Sequence, residues 1–181
     1  MGIRLKHALD LAALWHEPQK RKYPGVAIPY MSHCAGVGAL LARHGFDEDV
    51  VIAGVLHDTM EDAGVTRVQI EQVFGERVAA LVTHVSEEDK SLSWEERKQR
   101  YLEHFRVKPW DAQAITLADK IDNLESIVVC ARHHGDPWPQ FKRPRAQQIE
   151  RFEALLAAAQ ELPAHPLISE YQQTLAMVRA V

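Results

Sequence analysis

DEDVVIAGVLHDTMED, residues 47–62, is the stretch on which the fold turns. Asp47 offers a side-chain oxygen to the first free N–H groups of a helix, the task of an N-cap residue. Behind it, Val50 to Leu56 form the longest apolar run of the chain. That run is far shorter than the ~20 apolar residues that cross a bilayer. It reads as a helix inside a core, carrying Val50, Val51, Gly54 and Val55 toward His57. The polar pair His57-Asp58 then interrupts a segment that is otherwise all core, and Glu61-Asp62 follow before the turn at Ala63-Gly64.

Outward from this helix the apolar spacing keeps a period near 3.6 residues, and no alternating strand is found. A first helix is expected over about Arg4 to His16. A second runs from about His33 to His44 and stops at Gly45, a residue suited to a left-handed C-cap. Thr66-x-x-Gln69 and Ser93-x-x-Glu96 are capping-box patterns that open further helices. Pro109 and Asp111 begin a long apolar segment reaching Val129. Phe141 to Leu162, with its start pushed toward Pro144, and Ile168 to Val181 complete the chain, separated by Pro163 and Pro166. Tyr23 to Pro29, Ser86 to Leu92 and Gly135 to Pro139 read as loops, none long enough for a domain linker. The expected architecture is all-α, a single compact multi-helix domain spanning residues 1–181.

Composition removes several functions. The chain has 181 residues, with 21 Lys+Arg against 25 Asp+Glu and a formal net charge of -4. A pI near 6.2 with no long basic block argues against a nucleic-acid binder. No membrane span and no secretory signal is visible. Cys34 and Cys130 form no CxxC and are too few for a disulfide framework, so a reduced, cytoplasmic setting is expected. Ten histidines stand beside those two cysteines; a metal would have to be held by nitrogen and oxygen.

Three places offer such ligands: His33, the pair His57-Asp58, and Asp119. Asp119 follows the apolar Ala114 to Ala118, as His57 follows Val50 to Leu56. Burying carboxylates in such surroundings is costly without a cation or partner. A divalent metal held by His33, His57, Asp58 and Asp119 would satisfy all four groups, and this ligand mixture suits Mn, Fe, Zn or Ni better than Ca or Mg. The alternative is a buried His–Asp hydrogen-bonded network without metal.

Taken in order, Pro29-Tyr30-x-x-His33, HDTMED at 57–62, Glu88 to Leu92 with Glu96-Arg97-Lys98, and Leu117-Ala118-Asp119-Lys120-x-x-Asn123-Leu124 resemble the HD-domain metal-dependent phosphohydrolases. Within them they look most like the small standalone alarmone hydrolases, relatives of the hydrolase half of the bifunctional (p)ppGpp synthetase–hydrolases. The likeness covers about residues 20–130. It implies an all-α HD-domain fold, one Mn²⁺ ion, and a small-molecule nucleotide partner whose 3′-pyrophosphate is removed by a metal-activated water. In that family His33, His57, Asp58 and Asp119 would ligate the metal, and Glu61 and Asp62 would be the catalytic carboxylates. On a continuing helix Glu61 stands one turn beyond His57, on the metal side. Arg21 matches the base-stacking position and Lys22 a phosphate contact. Asn123 would contact the ribose or phosphate side, and Lys90 and Lys98 the phosphates. Asp122, Thr116 and the missing aromatic before Phe152 depart from the family pattern on the side of base and tail recognition. They make a (p)ppApp-type alarmone an alternative substrate. Other readings are an HD hydrolase of a nucleoside monophosphate or NADPH, and, from another class, a catalytically weak nucleotide-binding regulatory module.

Overall fold

A computed structural model describes residues 2–86 and 94–181, apart from the side chains of residues 94, 95, 97 and 98. In chain order the helices are α1 (Ile3–Trp15), α2 (Met31–Arg43), α3 (Glu48–Leu56), α4 (Thr59–Asp62), α5 (Arg67–Phe74), α6 (Glu76–Val85), α7 (Trp94–Val107), α8 (Trp110–His133), α9 (Arg145–Gln160) and α10 (Pro166–Arg179). Among the described residues there is no strand. Lys20 with Pro29 and Tyr23 with Val26 form isolated antiparallel bridges. Pro24 and Gly25, the latter at φ +72°, turn this narrow loop in the manner of a type II turn.

The local signals act as the residue chemistry dictates. The Asp47 carboxylate accepts from the N–H groups of Asp49 and Val50 at 3.0 and 3.2 Å. Thr66 and Gln69 close a reciprocal capping box. The Ser93 box and, save for Ser86, the loop expected over 86–92 lie outside the described residues. Gly75, at φ +91°, ends α5, and α6 follows without a side-chain cap, which is why no start signal marks it in the sequence. Pro166, expected to separate the last two helices, is instead the first residue of α10. A second expectation is corrected. The helix through Val50–Leu56 does not continue to Glu61: it ends at Leu56, and His57 and Asp58, the latter at φ -95° and ψ -3°, separate it from the short α4. The Thr59 hydroxyl donates to the Leu56 carbonyl at 2.7 Å, satisfying an acceptor freed by the break.

Two helices organise the core. Every residue of Val50–Leu56 in α3 is buried, so this helix has no solvent face over that stretch. The long α8 buries Ala112, Ala114, Ile115, Leu117, Ala118, Ile121 and Leu124 and packs against α2, α3, α6 and α10. Close approach of α2 to α3 depends on absent side chains. A Cβ on Gly38 would stand 2.6 Å from Val55 Cγ2, and one on Gly54 would stand 2.3 Å from Leu41 Cδ1. None of the described helices is long and apolar enough to cross a membrane.

The tightness of the α2–α3 seam is directly testable. Gly38→Val must push Val55 out of a fully packed position and is expected to cost about 1–3 kcal/mol. A lowered urea midpoint with an unchanged slope is the result expected; an unchanged midpoint would show that the seam is slack.

Candidate active site

Three helices deliver the four ligand-type side chains to one point. His33 projects from the first turn of α2, His57 and Asp58 occupy the break after α3, and Asp119 lies midway along α8. His33 Nε2 is 3.2 Å from His57 Nε2, 3.3 Å from Asp119 Oδ1 and 3.7 Å from Asp58 Oδ2. His57 Nε2 is 3.0 Å from Asp58 Oδ2 and 3.8 Å from Asp119 Oδ1. Ligand atoms of His33, His57 and Asp58 all lie within 4.8 Å of one another.

The opposite ring nitrogens fix how the imidazoles point. His57 Nδ1–H donates to the Gly54 carbonyl at 2.8 Å, and His33 Nδ1–H donates to Asp122 Oδ2 at 2.6 Å. Both Nε2 atoms therefore face the shared centre. An imidazole oriented by a carbonyl or carboxylate on its far nitrogen is the arrangement that metal-ligating histidines use. Two nitrogens and two carboxylates so disposed fit a divalent transition ion.

Electrostatics say the same. Burial opposes a charge on His33, but hydrogen bonds to Asp119, Asp122 and Asp58 outweigh it and push the imidazole up to about 10. For His57 burial again opposes, and the Asp58 charge again wins, so its value is also raised. Burial disfavours ionised Asp58, yet the His57 charge and the His33 hydrogen bond hold its carboxyl well below the usual range. Asp119 is likewise held down against burial, first by Lys120, whose Nζ is 2.5 Å from Oδ2, and then by His33. The centre requires positive charge, supplied by protons on the rings or by a cation between them.

Around this centre lies a cleft with two connected parts. The inner part, about 370 Å³, is lined by His57, Asp58 and Asp119 together with Glu61, Asp62, Tyr101, Lys108, Lys120, Asn123 and Arg151. The outer part, about 640 Å³, is lined by Lys20, Arg21, Lys22, Tyr23, Phe141, Lys142, Arg143 and Phe152 among others. Tyr30, Asp62, Tyr101, Lys120, Asn123 and Arg151 line both. Glu61 and Asp62 thus share one cavity with the cluster, although the helix connecting them to His57 is broken. Asn123 Nδ2 donates to Asp119 Oδ1 at 2.5 Å. Lys22 borders the outer part. Arg21 is only 9% exposed at its side chain and is tied to α8, its Nη2 donating to Ser126 Oγ at 2.7 Å and lying 3.2 Å from Asn123 Oδ1 and 3.3 Å from Asp122 Oδ2. Lys90 lies outside the described residues, and Lys98 falls on α7 with its side chain outside them.

Asp122 and Lys108 carry no distinctive signal in the sequence, and Tyr30 stands out there only as part of Pro29-Tyr30-x-x-His33. Asp122 read as a departure on the side of base recognition; in the fold it instead holds His33. Gly36 makes that reach possible, since a Cβ there would stand 2.1 Å from Asp122 Oδ1. The Asp119/Asp122 spacing, three residues on one helix face, was the available clue. The Tyr30 hydroxyl donates to Asp58. Lys108, between α7 and α8, enters the inner part through tertiary packing alone, and burial followed by the nearby Lys120 charge lowers it to about 8.

Helical layers that gather a histidine, a His-Asp pair and a distant aspartate define a metal-dependent hydrolase of the HD type, and the HD-domain family pattern matches residues 8–138. The chain belongs to the HD-domain family. It is 37% identical over 144 residues to the guanosine-3′,5′-bis(diphosphate) 3′-pyrophosphohydrolase MESH1 of Drosophila melanogaster, covering 78% of each chain. It is 31% identical over 176 residues to the bifunctional (p)ppGpp synthase/hydrolase SpoT of Escherichia coli strain K12, matching 94% of this chain and 23% of that protein. The solved structure of a metazoan ortholog of SpoT that hydrolyses ppGpp superposes with a TM-score of 0.83 at 29% identity, over 97% of this chain and 96% of that one.

Metal uptake should be coupled to protons. A ring that keeps its proton up to about 10 must lose it to become a ligand. Raising the pH from 6.5 toward 10 removes that competitor, so affinity for a divalent ion should rise about tenfold per pH unit for each proton displaced. Calorimetric titration with Mn²⁺ in buffers of different ionisation enthalpy measures the proton release; a pH-independent affinity would contradict the arrangement. Asp122→Asn should weaken the ion about 10- to 100-fold while the melting temperature without metal changes little.

Proposed function

We propose that the chain hydrolyses the 3′-pyrophosphate of a guanosine alarmone, releasing pyrophosphate. The observation that carries this reading is the shared cleft. His57, Asp58 and Asp119, with His33 buried beside them, line one space with the Glu61-Asp62 pair and a set of cations, in a chain similar to enzymes named for that reaction. His33, His57, Asp58 and Asp119 would hold the ion, with Mn²⁺ the ion proposed. A divalent ion held there supplies a more acidic water and a Lewis acid for the phosphoryl oxygen.

The protein's own groups do the rest. Glu61 and Asp62 orient the attacking water and take its proton. Water adds to the phosphorus next to the ribose 3′-oxygen, the P–O3′ bond breaks, and the ribose oxygen takes a proton. Three cations surround the Tyr101 ring, with Lys108 Nζ at 5.8 Å, Lys120 Nζ at 5.6 Å and Arg151 Cζ at 5.4 Å from its centroid. Lys120 is paired with Asp119, whereas no carboxylate among the described residues lies in ion-pair distance of Lys108 or Arg151. Unpaired cations beside buried surface are suited to an anionic occupant, and the pyrophosphate fits that place. The nucleoside and its 5′-phosphates then lie in the outer part, near Lys22 and Asn123, with Lys142 at its rim and Phe141 and Phe152 as apolar contacts. All of residues 1–181 act as one unit in this reading, because α9 supplies Arg151 and Phe152. Free, buried Cys34 and Cys130 accord with work in the reducing cytoplasm.

Incubating the Mn²⁺-loaded protein with ppGpp, pppGpp, ppApp and NADPH, and separating the products, tests the assignment. Pyrophosphate from the guanosine substrates is expected. Orthophosphate alone, or no product from any of them, would overturn it, and faster release from ppApp would move the substrate to the adenosine class. Glu61→Ala with Asp62→Ala should remove at least about a hundredfold of turnover with the ion still bound. Lys108→Met and Arg151→Met should each lower kcat/KM about 10- to 100-fold, the worth of a hydrogen bond to a charged group.

A further inference from the structure

We infer that Gln19, oriented by His16, is a positioning residue that fixes the carboxylate of Asp62 in the cleft. The inference deepens the proposed function and rests on the reading of Asp62 as a catalytic carboxylate.

Asp62 is exposed on the short α4, and among the described residues one side-chain bond anchors it: Gln19 Nε2 donates to Asp62 Oδ2 at 2.8 Å. A carboxylate accepts only, so the amide end of Gln19 that faces it must be the NH₂ group. The other end, Gln19 Oε1, then lies 2.7 Å from His16 Nδ1, and an amide oxygen also only accepts. His16 must carry its proton on Nδ1. The direction of every bond in the chain His16 to Gln19 to Asp62 is therefore determined.

That choice leaves His16 Nε2 as a bare acceptor. It is buried, the residue is only 2% exposed, and Nε2 has no hydrogen-bond partner. An apolar side chain would fill the same place without leaving a polar atom unsatisfied. Packing alone therefore does not account for a histidine here, whereas holding the Gln19 oxygen does. The backbone is equally fixed: Gln19 N donates to the His16 carbonyl at 2.9 Å, and Tyr30 N donates to the Gln19 carbonyl at 3.0 Å. The His16 ring lies 5.1 Å from the Tyr30 ring, whose hydroxyl holds Asp58. One turn after α1 thus steadies a ligand through Tyr30 and a reacting carboxylate through Gln19. Gln19, Tyr30 and Asp62 line the same outer part of the cleft.

The experiment is a double-mutant cycle on the Mn²⁺-loaded protein with ppGpp, read as single-turnover rate, KM and ion affinity. Gln19→Ala should lower the rate about 10- to 100-fold, as misplacement of a reacting group does, with KM and ion affinity within about threefold of the parent. In the Asp62→Ala background the same change should have no further effect, because the bond it removes is already gone. His16→Asn keeps an N–H donor near the Nδ1 position and should retain most of the activity; His16→Leu should behave as Gln19→Ala. If His16→Leu does not fold, His16→Asn and the half-buried Gln19 carry the test. Equal losses from Gln19→Ala in both backgrounds, or parental activity in Gln19→Ala while Asp62→Ala is inactive, would overturn the inference and leave the proposed function standing. Full activity in Asp62→Ala would overturn the role given to Asp62 itself.

Discussion

Three carboxylates, Asp58, Asp119 and Asp122, are folded around two imidazoles within hydrogen-bonding reach of one another. Like charges at such distances in a buried setting repel strongly. The helices can close only because positive charge offsets these carboxylates, from protons on the rings or a cation between them, from Lys120 beside Asp119, and from Arg21 beside Asp122. The rest of the molecule serves this constraint. α3 and α8 are apolar up to the point where they present polar groups, so the cluster stands in surroundings that strengthen each interaction. Gly36 lets α2 and α8 approach until Asp122 reaches His33.

Charge is distributed by location. The chain is net negative, yet the walls facing a substrate are cationic: Lys108, Lys120 and Arg151 within, Lys20, Lys22 and Lys142 without. The acidic excess that sets the global balance includes the cluster itself, which a divalent ion offsets. A cleft that is acidic at its floor and basic along its walls suits a ligand bearing phosphates and reacting at a metal.

Much of this was legible in the chain. The apolar period gave the helices, Asp47 and Thr66 gave two of their starts, the His57-Asp58 pair and Asp119 stood out because each breaks an apolar context, and His33 because it closes Pro29-Tyr30-x-x-His33. Local rules read local facts well. They failed where the answer depends on what another helix brings. Asp122 looks like any polar residue on a helix face until α2 supplies His33 opposite it. Arg151 is distant in sequence from Tyr101 and Lys108 and meets them only when α7 and α9 pack. Arg21 read as a base-stacking residue because its chemistry allows that; its ties to Asn123 and Ser126 needed the α8 surface. His16 and Gln19 carry no apolar interruption or motif spacing to mark them.

The burial of α3 has a consequence in time as well as in space. A helix with no solvent face over Val50–Leu56 has no route for its amides to exchange hydrogen by fraying, since every neighbour must part first. His57 and Asp58 are joined directly to the end of that helix. Their alignment therefore persists as long as the native state itself does, and the loop between α1 and α2 is tied to the same centre, through Tyr30 to Asp58 and through Arg21 to Asp122.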